Sequence, residues 1–132
     1  MNVILCEQRF EQPILNGIKP NTIRHWRRDG RPRARVGETV SLRVWTGKPY
    51  RSKQREFAQA EVDFMFTVVI DAKGVYRLET PHRIHVVLVK RKMARCEGFA
   101  NWSEMKAWFE SHHGLPFEGV LIHWKNLKPT KL

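Results

Sequence analysis

The stretch from Ala58 to Ile70, AQAEVDFMFTVVI, restricts the architectures open to this chain more than any other. It begins as an alternation of apolar and polar residues, the period of a half-buried strand, and ends as the continuous apolar run of a strand covered on both faces. One long strand passing from a half-exposed to a buried setting is expected. Further strand patterns lie on either side of it. Val3 to Cys6 is a short apolar strand, and Asn21 to Trp26 alternates so that Thr22 and Arg24 project to one face and Ile23 to the other. After a turn at Gly37, Val40, Leu42 and Val44 face inward with Ser41, Arg43 and Trp45 opposite. Turn chemistry at Asp71 to Gly74 leads into VYRLE and then HRIHVVLVKRK, a strand candidate with a basic end. Val120 to Trp124 is a last strand, with Leu121 and His123 on the face opposite Val120, Ile122 and Trp124.

Two helices interrupt this pattern. Phe10, Ile14, Leu15 and Ile18 fall at helical spacing, with Pro13 in a first turn and Gly17 where a left-handed residue ends a helix. Pro20 biases Lys19 away from helical geometry and separates this helix from the next strand. Asn101 followed by Glu104 reads as an N-cap and capping box, and Trp102, Met105, Trp108 and Phe109 form an apolar stripe that Gly114 terminates. The stripe reads as a core face. About six or seven strands with two or more short flanking helices make a β-rich α+β domain, arranged as a meander or barrel.

At 132 residues, with 42% apolar residues and five tryptophans, the chain is expected to form one domain over 1–132 with its own core. Cys6 and Cys96 lack metal-ligand or disulfide-framework spacing, and no apolar run reaches the length of a membrane span. The opening residues have no signal-peptide pattern. A soluble cytoplasmic protein is expected, a monomer by default, with no metal, no cofactor and no membrane partner. Lys and Arg number 24 against 13 Asp and Glu, a net charge of +11, which points to a polyanionic partner or to a basic coat that serves solubility alone.

The charge is concentrated in two segments. Arg24, Arg27, Arg28, Arg31, Arg33 and Arg35 surround Trp26, and Lys48, Arg51, Lys53 and Arg55 surround Tyr50. Guanidinium forks suit phosphates and exposed aromatics suit unpaired bases, so the mixture fits single-stranded RNA or a nucleotide; Trp26 and Trp45 fit equally as partly buried core aromatics. Beside the first segment, Lys19, Thr22 and Arg24 are the residue types of an anion site, of a nucleophile with a basic partner, or of a polar turn entering a strand. His112 and His113 close a helix where a cation suits the dipole, and His25, His82, His85 and His123 show no ligand spacing.

Four stretches, ILNGIKPNTIR, VGETVSLRVW, CEGFANWSEMKAWFESHHG and GVLIHW, together resemble the ASCH domain family, whose fold is similar to the PUA β-barrel. The family's Gly-x-Lys-x-x-Thr-x-Arg falls on Gly17, Lys19, Thr22 and Arg24, and its acidic-Gly-Phe before a capped helix falls on Glu97, Gly98 and Phe99. The resemblance runs from about Ile4 to Trp124. It implies a PUA-like barrel that binds RNA or a modified nucleoside in a cleft of Lys19, Thr22, Arg24 and Glu97. Other members resemble small amidohydrolases acting on acylated cytidines, or ribonucleases, and the catalytic roles would then fall on Lys19, Thr22 and Glu97. Pro20-Asn21 within the motif and the longer basic insertion from Thr46 to Phe57 depart from the smallest hydrolases. Whether Lys19 serves as a base or as a charged contact stays open: burial and arginine neighbours favour loss of its proton, and a close Glu97 opposes it.

Overall fold

The computed structural model describes residues 1–79 and 81–130; Thr80, Lys131 and Leu132 of the expected domain lie outside them. The long strand foreseen at Ala58–Ile70 is the organising element. It is β4, Gln54–Ile70, beginning four residues earlier than the apolar pattern suggests. Its neighbours are β3 (Thr39–Trp45) on its first half and β5 (Val75–Glu79) at its end, with β7 (Phe117–Pro129) running antiparallel along Ala58–Ile70. Beyond these, β1 (Asn2–Leu5) pairs parallel with β3, β6 (Ile84–Leu88) antiparallel with β5, and β2 (Asn21–Arg24) antiparallel with β7.

Among the described residues these ladders form one mixed sheet of seven strands. Register shifts on β4 at Gln59/Glu61 and Val62/Phe64, and between Leu42 and Arg43 on β3, insert the extra residues that bend and twist strands. The sheet curls into half a barrel, so the barrel-like expectation holds in this coarser form. Among the described residues no backbone ladder joins β1 to β2. A side chain crosses that seam instead: Arg24 Nη2 donates to the Leu5 carbonyl at 2.6 Å.

Packing follows the strand periods. Val40, Leu42 and Val44 are wholly buried, while Val62, Val68 and Ile70 on β4 and Phe117, Val120 and Ile122 on β7 complete much of the same core. Two expectations about faces are corrected. On β7, Val120, Leu121, Ile122 and Trp124 are all buried, and on β2 Asn21, Thr22 and Ile23 are all buried, because chain covers both faces of these strands. Alternation does not survive where each face meets protein.

Among the described residues three short α-helices flank the sheet. The first apolar-spaced segment is a 3-10 turn at Gln8–Phe10 followed by α1 (Glu11–Leu15), and Ile18, expected on its buried stripe, is exposed beyond Gly17. A further correction concerns the basic end of HRIHVVLVKRK. The strand stops at Leu88, and Lys90–Cys96 is a helix, α2, with Ala94 buried. Helix α3 spans Trp102–His112, capped by Asn101, whose side chain accepts from the Glu104 N–H at 2.9 Å. Met105 and Phe109 of its stripe are buried, whereas Trp102 and Trp108 are half-buried. None of these helices is long and apolar enough to cross a membrane.

Candidate functional site

The residues between α1 and β2 turn inward. Lys19 N–H donates to the Pro13 carbonyl at 3.0 Å, and the Pro20 carbonyl accepts from Trp124 N–H at 3.1 Å, so the segment is tied to both a helix end and β7. This directs the Lys19 side chain into the molecule, where it is 3% exposed. Its Nζ meets Glu97 Oε2 at 3.1 Å and lies 4.8 Å from the centre of the Phe10 ring. Glu97, also 3% exposed, follows the last turn of α2, its N–H donating to the Met93 carbonyl. The two partners are 78 positions apart in sequence.

Further donors converge on the same carboxylate. The Ile23 backbone N–H faces it closely enough to favour its charged form. With its amide oriented to suit its neighbours, Asn21 also donates to it, as well as to the Cys96 carbonyl at 3.2 Å. Burial pushes the Glu97 carboxyl above its ordinary range, and Lys19 in the first place, then Arg24 and the Ile23 N–H, pull it back. Gly98 makes this geometry possible. Its φ of +91° is left-handed, and a Cβ there would lie 2.7 Å from the Phe10 ring and 3.1 Å from the Lys19 Cδ. Gly119 on β7 has the matching role for β2, since a Cβ there would collide with the Arg24 carbonyl.

Lys19, Thr22, Arg24 and Glu97 line one cavity of about 340 Å³, at the seam between β1 and β2. That is near the lower end of the roughly 300–1,000 Å³ typical of small-ligand pockets. Phe10, Phe99 and Trp108 supply aromatic surface to its wall, and Cys6 sits beside Arg24 with Sγ 3.9 Å from Nη2. Burial pushes the Cys6 thiol up, outweighing the opposing pull of Arg24 and Lys19, so it stays a protonated, weak nucleophile. The Nε of Arg24 is buried without a hydrogen-bond partner among the described residues. An orphaned guanidinium N–H facing a cavity is the sort of donor a ligand satisfies.

Histidines gather at the rim. His25 leaves the end of β2 and meets His113 with ring centres 4.9 Å apart and Phe117 at 4.8 Å, while His112 stacks on Trp108 at 4.2 Å. His113 is pulled below its ordinary range by partial burial and then by His25 and His112. Spacing places Trp108 on the core face of its helix and gives His25 no role; their places at this cavity depend on partners on β7 and on the loop after β1. Trp108 Nε1 donates to Glu7 at 3.3 Å.

The remaining basic candidates spread over the surface nearby. Trp26, Arg27 and Arg28 border a shallow groove with His25 and Arg33, and Trp26 is exposed rather than part of the core. Arg31 is exposed beside Asp29 at 3.9 Å. Trp45 is half-buried and carries Tyr50 against its ring at 5.2 Å; Lys48, Arg51 and Lys53 are exposed around that turn. Arg55 is engaged elsewhere, with Glu11 at 2.5 Å. Among the described residues no three His, Cys, Asp or Glu side chains are grouped to hold a metal ion. No family model matches the chain, and no curated protein or solved structure matches it either.

Proposed function

We propose that this chain is an ASCH-type domain of PUA-like fold that recognises an RNA base or a modified nucleoside in the cavity between β1 and β2. One observation carries the reading: a buried Lys19–Glu97 ion pair, drawn from segments 78 residues apart, lines the same cavity as Thr22 and Arg24. An isolated charge is costly to bury, and an ion pair seldom contributes net stability over an apolar pair of similar volume. A polar network held in a cavity of nucleoside size is well suited to read a planar, hydrogen-bonding ligand. In this reading Glu97 and Thr22 face the base edge, Phe10, Phe99 and Trp108 pack on its plane, and Arg24 takes an anionic or carbonyl oxygen with its free Nε–H. The net charge of +11 supports a polyanionic source for that ligand.

A hydrolase acting in the same cavity, on an N-acylated cytidine or on RNA, is the second reading, favoured by the hydroxyl of Thr22 beside the ammonium and carboxylate. With Lys19 already donating to Glu97, its natural part is to stabilise a developing oxyanion, leaving Thr22 to position water or attack. Calorimetric titration of nucleosides and their 5′-monophosphates, including N4-acylated cytidine, tests both readings with product analysis of the same mixtures. Binding abolished by Thr22→Val without turnover in the parent protein is the expected result. Turnover lost in Thr22→Val and Glu97→Ala would establish the hydrolase, and binding or turnover indifferent to both changes would remove this cavity from the function.

A further inference from the structure

The cavity is joined to its surroundings by shared walls. Arg24 and Arg33 line it on one side and, on the other, line a second hollow of about 270 Å³ whose rim carries Arg27 and Tyr50. Tyr50 of the second basic segment, separated in sequence from the first by the whole of β3, therefore meets the arginines of the first at the open seam. Their acids do not balance them. Asp29 pairs with Arg27 at 2.8 Å, while Arg24 and Arg33 each place one donor on a backbone carbonyl, of Leu5 at 2.6 Å and of His25 at 2.5 Å, which brings no counter-charge. Arg33 is held below the usual arginine range by burial and by repulsion from Arg24 and Arg27, as expected of a strip of cations short of counter-charge.

At the far end of this strip stands Tyr50. It is 88% exposed, and its backbone is left-handed at φ 63°. A bulky residue is rare in that region, and local strain of this kind concentrates where a side chain serves a ligand. Trp45 lies against the ring at a tilt of 49°, and most of the tyrosine remains open to solvent.

We propose, building on the reading that the cavity accepts a base, that its ligand is one unit of a single-stranded RNA, whose chain leaves the cavity over Arg24 and Arg33 and places a neighbouring base on Tyr50. The arginines hold the linking phosphates and the tyrosine supplies a sequence-tolerant stacking platform. A free nucleoside would fill the cavity and leave this strip and its aromatic end without a partner.

The test compares the four homopolymeric pentaribonucleotides with the matching nucleoside 5′-monophosphates by calorimetry and fluorescence anisotropy. Tyr50→Gly is the informative change, because glycine suits the backbone at that position and removes the ring without endangering the fold. The ratio of pentamer to monophosphate affinity is expected to fall about ten-fold. Arg27→Gln and Arg33→Gln should each reduce the slope of log K against log salt for the pentamer by about 0.7. An unchanged ratio in Tyr50→Gly, with monophosphate binding still lost in Thr22→Val, overturns the extended path and leaves the cavity reading intact. Pentamer and monophosphate binding that both ignore Thr22→Val overturn the cavity reading and the extension built on it.

Discussion

Lys19 and Glu97 are removed from water together, and each is tolerable only because of the other. Replacing Glu97 by Gln keeps an acceptor for the Ile23 N–H but leaves the Lys19 ammonium buried against a neutral amide. The expected loss is about 3–5 kcal/mol, the range seen when one partner of a buried pair is removed. Lys19→Met combined with Glu97→Gln should recover most of it, since the stranded charge is then absent. Denaturant unfolding of the two single variants and the double variant measures the coupling; additive losses would show that the two groups act independently. The sequence makes the residue types at 19, 22, 24 and 97 visible as polar residues beside strand and helix signals. It carries no signal for Cys6, Arg33 and Trp108 as their neighbours, because nothing local to these positions departs from an ordinary strand end, loop or helix face.

Elements decide how those side chains meet. Helix α2 delivers Glu97, yet its sequence, KRKMARC, follows the apolar run IHVVLV and is short, so periodicity extends the strand through it. What makes it a helix is packing: strong helix formers with Ala94 buried leave the charged residues outward. By contrast β3 and α3 are legible in advance, one through strict alternation at Val40, Leu42 and Val44 and the other through the Asn101 cap with its apolar stripe. The rim where β2, α3 and β7 converge has its own pH signature. His113, flanked by His25, His112 and Phe117, titrates below its ordinary value of 6.5 in the folded protein. Its contribution is present above pH 6.5 and is lost as pH falls through the lowered folded value, because the unfolded chain then binds the proton more readily. Thermal unfolding followed across that window should show a weaker pH dependence in His113→Gln than in the parent. Equal slopes would place the histidine's titration outside the folding equilibrium.

At the scale of the whole molecule, +11 of net charge surrounds an open seam where three arginines of the first basic segment and Tyr50 of the second gather. A strand of RNA contacting three phosphates there should bind with a log–log salt slope of about −2, losing about twenty-fold in affinity between roughly 50 and 200 mM salt. Filter-binding or anisotropy at stepped salt measures it, and a flat response would exclude phosphate contacts as a source of affinity. Read alone, the chain determined the α+β composition, the long central strand, the inward residues of β3, the capped third helix and the excess of positive charge. All of these arise from interactions between near neighbours, whose spacing is written in the chain. Tertiary structure decided the half-barrel and its open seam, the burial of both faces of β2 and β7, the existence of α2, and the meeting of Lys19 with Glu97. Those depend on which distant surfaces exclude water from one another, and on three irregularities of strand register whose bending no local pattern announces.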